Sequence, residues 1–244
     1  MSPDHSADMI LGEHASLQAL RAVVPSFCPL SLGFGKLSQS SNHFLLTEFL
    51  DVNEQTSEMG SGLSFAQKLA KLHTAPVPTP EGHDQAMFGF PITTYAGRTK
   101  QDNTFRRSWA KFYAENRLRT ISKLIEQAHG ADDELRMWIE RTAAEIVPKL
   151  LGNGHLGGRK GIPPVLVHGD LWSGNKARGR LGGKGGIEDV VFDASCCYAH
   201  SEYELGLMRM FGGFSAGFFS EYHRLIPKTS PQSEYEDRMK LYQV

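Results

Sequence analysis

The chain has 244 residues, 40% of them hydrophobic, and its 26 basic and 27 acidic residues leave a formal net charge of −1. That size and apolar content support one or two compact units with a real core, and a near-neutral charge without a long basic run gives no electrostatic support for binding nucleic acid or an anionic membrane. No apolar stretch approaches the ~20 residues of a membrane span, the polar, acidic start is unlike a secretory or transit peptide, and Cys28, Cys196 and Cys197 make neither a disulfide framework nor a zinc spacing, so a reduced, cytoplasmic setting is expected.

In chain order, the pattern predicts a helix over about Met9 to Val23 and an apolar strand over Asn42 to Leu50. Ser, Asn, Glu and Gly crowd residues 51–61, the composition of a linker. Phe65, Leu69 and Leu72 recur at helical spacing, and Pro76, Pro78 and Pro80 stop that helix near His73, which reads as a helix-end residue and not a ligand. Residues 81–103 read as a loop-rich excursion in which Gln101 and Asn103 are expected to be solvated. Two long helices follow. One carries Phe105, Trp109, Phe112, Ile121 and Leu124; the other carries Leu135, Trp138, Ile139, Ile146 and Val147 behind an Asp132 cap, and the aromatics are expected in the core. Gly152-Asn153-Gly154-His155-Leu156-Gly157 fits G-x-G-x-x-G, but it follows a helix and precedes a strand. A dinucleotide or phosphate turn needs the reverse order, so this is a connector.

The strongest chemical signal comes next. Val165-Leu166-Val167 reads as a short buried strand that delivers His168-Gly169-Asp170-Leu171-Trp172-Ser173-Gly174-Asn175. Histidine-x-aspartate with an asparagine five positions later matches the kinase catalytic-loop pattern, in which the aspartate accepts the attacking hydroxyl's proton and the asparagine holds a magnesium ion. A second metal carboxylate should follow on the next hairpin, and Asp193 stands there, eighteen residues past the asparagine. Taken singly, Asp170 could be a turn residue, Asn175 a strand-start residue and Asp193 a surface carboxylate; the joint spacing favours a site. His168 is expected to support the loop structurally. Gly182-Gly183-Lys184-Gly185-Gly186 lacks the serine or threonine of a Walker motif and reads as a hairpin turn. Beyond Asp193, Cys196 and Cys197 read as small buried residues, and Ser201 and Glu204 have capping-box spacing at the start of a helix carrying Leu205, Met208 and Phe211. Gly213-Phe214-Ser215-Ala216-Gly217 fits a nucleophile elbow, yet it joins two helices and His223 precedes Asp237, the wrong order. A helix over about Ser215 to Leu225 and one entered at Ser230-Pro231, with the proline in its first turn, complete the chain.

These segments resemble one family. VLVHGDLWSGN at 165–175, FDASCCYAHSEYELGLMRMFGGF at 192–214 and FFSEYHRLIPK at 218–228 are similar, in the same order, to the signature segments of fructosamine-3-kinases and ketosamine-3-kinases (protein-ribulosamine 3-kinases), within the aminoglycoside-phosphotransferase-like kinases. Weaker likeness covers GEHASLQAL at 12–20, FLLTEFL at 44–50 and FGF at 88–90. The resemblance implies an α+β, protein-kinase-like fold: mainly the helical C-terminal lobe, 53–244, with a partial N-terminal nucleotide lobe, 1–52. It implies ATP-dependent phosphorylation, with Mg2+, of ketosamine adducts on proteins or small amines at the sugar 3-hydroxyl, a protein-deglycation chemistry. Asp170 would be the base, and Asn175 and Asp193 would hold magnesium. Glu13 falls on the family's ion-pair glutamate, and Glu48 to Leu50 fall on the hinge whose backbone reads adenine, a plain core strand being the alternative. The acceptor site would lie near Gln101, Asn103 and Phe105, the last standing where the family has tryptophan.

The chain also departs from the family. Only twelve residues precede Glu13, too few for three strands of roughly 5–6 residues each, so the phosphate-covering hairpin and strand lysine are expected to be missing. Its end, Lys240 to Val244, falls where the family continues into further helices. Phosphate transfer by residues 1–244 alone is therefore expected to be poor or nil. The alternative from another class is a non-catalytic fragment or pseudokinase acting through protein contacts, its first helix exposing Leu17 and Leu20 beside an unpaired sheet edge.

Overall fold

The computed structural model describes residues 3–52 and 60–244. Helix α1 (Pro3–Val23) begins ahead of the predicted Met9 and lies against an antiparallel hairpin, β1 (Ser31–Lys36) with β2 (His43–Thr47). β1 escapes the sequence pattern because Ser-Leu-Gly-Phe-Gly-Lys alternates apolar residues with glycine, a poor strand former. Register supplies what propensity lacks: Gly35 faces Phe44, whose ring stands 3.1 Å from where a Cβ would be. The predicted strand 42–50 breaks after Thr47, and its end becomes β3 (Leu50–Asp51), which joins a different sheet. Most of the predicted linker, 53–59, lies outside the described residues.

Leu17 and Leu20 are 2% and 0% exposed, which corrects the expected bare face on α1. That face packs onto the rest of the chain. Gly12 sits so near the backbone at Thr93 that a Cβ would meet Thr93 O at 2.6 Å, and Ser16 Oγ accepts from Cys196 N–H at 3.0 Å. One uncovered apolar surface is on the β1–β2 hairpin and the segment after it: Leu32, Phe34, Leu46 and Phe49 are exposed, and among the described residues neither outer edge of the hairpin is paired.

Helix α2 (Phe65–Leu72) opens with a capping box between Ser64 and Gln67 and ends at His73, as the prolines indicate. Its Lys68 is fully buried, donating to Ser26 O, Asp189 O and the Glu188 carboxylate, so one ammonium ties α2 to the later hairpin. Within the predicted loop, β4 (Thr94–Ala96) and β5 (Thr99–Gln101) pair as a small hairpin. The two long helices form as α3 (Trp109–Lys111), a π-helical turn (Phe112–Arg119) and α4 (Thr120–His129), then α5 (Asp133–Arg141), a second π-helical turn (Thr142–Ile146) and α6 (Val147–Leu151), but Phe105, expected on the first, lies ahead of its Ser108 cap. Asp132 caps α5 by accepting from Leu135 N–H. Trp109 and Phe112 are core as expected; Trp138 is not, lying 49% exposed beneath the Arg141 guanidinium.

Strand β6 (Val165–Val167), fully buried, pairs antiparallel with β9 (Cys197–Ala199), while β7 (Lys176–Leu181) and β8 (Glu188–Val191) form a hairpin closed by the 182–186 glycines and joined on its other edge by β3. Helices α7 (Ser201–Phe211), α8 (Ala216–Leu225), capped by Ser215, and α9 (Tyr235–Leu241) follow. Pro231 precedes a short 3-10 turn (Gln232–Glu234) instead of entering the first turn of α9. The three cysteines are buried free thiols, and no helix among the described residues is long and apolar enough to cross a membrane.

Candidate active site

Because β6 is held on both faces, the loop that leaves it starts from a fixed point. His168 is fully buried: its Nε2 donates to Phe192 O (3.1 Å) and its Nδ1 accepts from Asp170 N–H (3.3 Å). Burial pushes the imidazole below its ordinary value, against the opposing charge of Glu204, so the ring is neutral and suits one donor and one acceptor bond. Its role is to brace the loop. Gly169 has φ +82°, and a Cβ there would sit 2.0 Å from Ser195 O; only glycine passes between the two strands.

The carboxylate of Glu204, on α7 and 1% exposed, accepts from the backbone N–H groups of both His168 and Gly169. This overturns the capping-box account. The N-cap of α7 is His200, which makes no side-chain cap bond, and Glu204 reaches inward to fasten the loop.

Asp170 and Asn175 meet directly: Asn175 Nδ2 donates to Asp170 O (2.8 Å) and lies 3.4 Å from Asp170 Oδ2. Phe192 N–H donates to Asn175 O, which sets the next residue, Asp193, beside them in a left-handed backbone conformation with φ +57°. The charge of Asp193 is felt by two other acids. Asp170 is pushed up to about 6, first by burial and then by Asp193 and Glu204, while the Asn175 hydrogen bond opposes the rise. Glu13 is pushed up to about 7 by burial and then by Asp193. The helix glutamate thus faces this acidic locus, and among the described residues no cation pairs with it.

The donor set fits a hard divalent cation. Among the described residues no three His, Cys, Asp or Glu side chains converge as a self-sufficient metal site. Magnesium is typically held by one or two carboxylates together with substrate phosphates, and one carboxylate, one amide and an excess of negative charge match that need.

Asp170 and Gly169 open onto a cavity of about 610 Å³, within the range of small-ligand sites. Its walls include Gln101, Arg117, Tyr203, Trp172 and Phe211, and the last two rings pack at 5.8 Å. Trp172 also covers Gly174, where a Cβ would lie 2.2 Å from the indole. The π-helical turn supplies Tyr113, Arg117 and Leu118 to the same wall.

The other expected residues divide. Gln101 lines the cavity at 8% exposure and Asn103 is 5% exposed, so neither is a solvated loop residue. Asn103 braces the fold, donating to Ile92 O and Thr94 Oγ1 and accepting from Arg117 Nη2. Phe105 packs near Gly89, away from Asp170, and lines a separate shallow pocket with Asn103. The Glu48 carboxylate accepts from Arg21 Nη1 and Leu30 N–H, and its own N–H donates to Leu30 O (2.7 Å); it holds α1 to the hairpin and has no backbone donor left for a ligand. Leu50 lies across from Leu181 in the β3–β7 pair. Glu204, Arg117 and Trp172 are site residues that spacing alone does not reveal. A buried-side acid among Leu205 and Met208 is the one available signal for Glu204.

A loop tied down by a neutral histidine and a helix carboxylate, opening on a cavity and backed by a hairpin acid, suits a protein-kinase-like fold, and the comparisons show that fold. The fold is shared with a fructosamine-3-kinase assignment from Haemophilus somnus (TM-score 0.74, 24% identity, 98% of this chain and 70% of that one). It is also shared with a thermostable mutant of aminoglycoside phosphotransferase APH(4)-Ia (TM-score 0.52, 14% identity, 95% and 72%). The family model described as fructosamine kinase matches residues 1–244, and the chain belongs to that family. It is 37% identical to mouse ketosamine-3-kinase over 158 residues, 64% of this chain and 45% of that protein. It is 31% identical to the chloroplastic protein-ribulosamine 3-kinase of Arabidopsis thaliana over 234 residues, 96% of this chain and 64% of that protein. The chain thus matches less than two thirds of the length of either relative.

Proposed function

We propose that this chain carries the catalytic-base, metal and acceptor half of an ATP-dependent ketosamine 3-kinase, with 53–244 as the catalytic and substrate lobe and 1–52 as part of the nucleotide lobe. The observation that carries the reading is that Asn175 hydrogen-bonds Asp170, that the charge of Asp193 raises Asp170, and that Asp170 lines the cavity. Asp170 takes up or orients the proton of the acceptor hydroxyl, and its raised value, about 6, leaves it ionised at neutral pH yet a better base than an ordinary carboxylate. Asn175 and Asp193 would hold a magnesium ion, which supplies charge neutralisation for the phosphates of ATP. Glu204 keeps the loop in place, and positioning is most of what this chemistry asks of a protein. The acceptor would be a ketosamine such as a ribulosamine or fructosamine, as the relatives' names give, borne by a protein or a small amine. An adenine contact falls to the backbone of Leu50, since Glu48 is already engaged.

The test is transfer of labelled γ-phosphate from ATP to a ribulosamine in magnesium, with Asp170→Asn beside the unaltered chain. Loss of a catalytic base is expected to lower transfer roughly 10²- to 10⁴-fold; equal transfer by both forms rules the assignment out. Weak turnover of residues 1–244 is expected, because Glu13 feels the charge of Asp193 and no cation pairs with it among the described residues.

One observation favours a second reading, a non-catalytic chain that acts through contacts. The β1–β2 hairpin and the segment after it leave Leu32, Phe34, Leu46 and Phe49 in solvent, with both outer edges of the hairpin open among the described residues. Absence of Mg·ATP binding together with stable capture of a partner by the hairpin would support that reading over the kinase.

A further inference from the structure

Arg117 stands out in the cavity wall. It is 3% exposed, and no carboxylate forms an ion pair with it among the described residues. Its guanidinium instead meets neutral acceptors: Asp102 O (2.7 Å), Asn116 O (3.2 Å) and Asn103 Oδ1 (3.0 Å), with the Phe112 ring 4.6 Å below. Its Nε is buried without a hydrogen-bond partner. The Tyr203 and Cys197 side chains also hydrogen-bond the guanidinium, and burial pushes both the phenol and the thiol up, so neither supplies a counter-charge at neutral pH. A buried cation without a counter-ion is costly, and natural cores rarely keep one except where a ligand completes it.

Across the same cavity stand two acids, Asp170 and Glu204. The lining is therefore dipolar: carboxylates where the loop enters, a guanidinium on the π-helical wall. Resting on the reading of this cavity as the acceptor site, we propose that Arg117 recognises a carboxylate carried by the acceptor, so that ketosamines of free amino acids are preferred over ketosamines of amines that carry no carboxylate. Such an acceptor is a zwitterion. Its protonated secondary amine suits the acidic side and its carboxylate suits Arg117, which offers a charge-assisted bond.

The experiment uses two matched probes, the fructosamine of β-alanine and the fructosamine of propylamine, which differ only in carboxylate against methyl and whose amines are both protonated at neutral pH. Binding to the full chain is measured by calorimetry, so no turnover is needed. A charge-assisted bond worth about 1.5–3 kcal/mol corresponds to a preference of roughly 10- to 150-fold for the β-alanine adduct. The preference is expected to vanish in Arg117→Gln and to survive in part in Arg117→Lys, which keeps the charge and guards against a simple folding defect. Equal binding of the two probes to the unaltered chain overturns the role of Arg117 while leaving the acceptor cavity intact. Binding of neither overturns both.

Discussion

The assignment of Glu204 as the anchor of the His168–Asn175 loop can be broken by one atom. Glu204→Gln keeps the side-chain length and one acceptor oxygen, but its amide nitrogen must then face either the His168 or the Gly169 N–H, donor against donor. A hydrogen bond to a charged group is worth about 1.5–3 kcal/mol, and an unsatisfied buried N–H costs about 1–3 kcal/mol. Removing a buried charge offsets part of that loss. A net destabilisation of about 2–3 kcal/mol follows. For a chain of this size each kcal/mol shifts Tm by roughly 2–4 °C, so thermal unfolding should occur roughly 4–12 °C lower, beside an exposed control such as Glu81→Gln that moves little. Glutamine serves at the third position of a capping box as well as glutamate does. An unchanged Tm would therefore restore the capping account and refute the anchor.

Asp193→Asn removes a charge that raises two neighbours, so carboxyl NMR titration should find Asp170 below about 6 and Glu13 below about 7. Since Glu13 rises from 4.5 to about 7 on folding, its contribution is fully present below about pH 4.5 and is lost as pH climbs through 7. Glu13→Gln should accordingly raise the urea midpoint at pH 8 and leave it nearly unchanged at pH 4; a lower midpoint at pH 8 would mean that the glutamate has a stabilising partner. Gly169→Ala meets both a left-handed φ and the Ser195 carbonyl, and loses at least about 1–3 kcal/mol from backbone strain alone, measurable as a lower denaturant midpoint. Leu46→Lys, on the open face of β2, should reduce concentration-dependent light scattering without lowering Tm; unchanged scattering would show that the hairpin is not the adhesive surface.

The loop His168 to Asn175 was legible because its chemistry and its strand are contiguous: three buried β-branched or leucine residues, then the polar groups at fixed spacing. The glycine hairpin and the connector at 152–157 were legible for the same reason, since their neighbours in sequence decide their role. What stayed hidden depends on distant partners. Glu204 has the spacing of a local cap and the contacts of an anchor thirty-six residues away. Gln101 and Asn103 look like loop residues, and their burial comes from a helix that follows them. Leu17 and Leu20 are covered by segments far along the chain, while β1, half glycine in its centre, gains strand structure only through its partner.

Manganese in place of magnesium tests the shared cation site without any demand for turnover. Titrated into the full chain with ATP, it should broaden the NMR signals of residues 170–175 and 192–194 first, and Asn175→Ala with Asp193→Ala should abolish that selectivity. Broadening centred elsewhere, or unaltered in the double variant, would contradict a metal held between this loop and the hairpin acid.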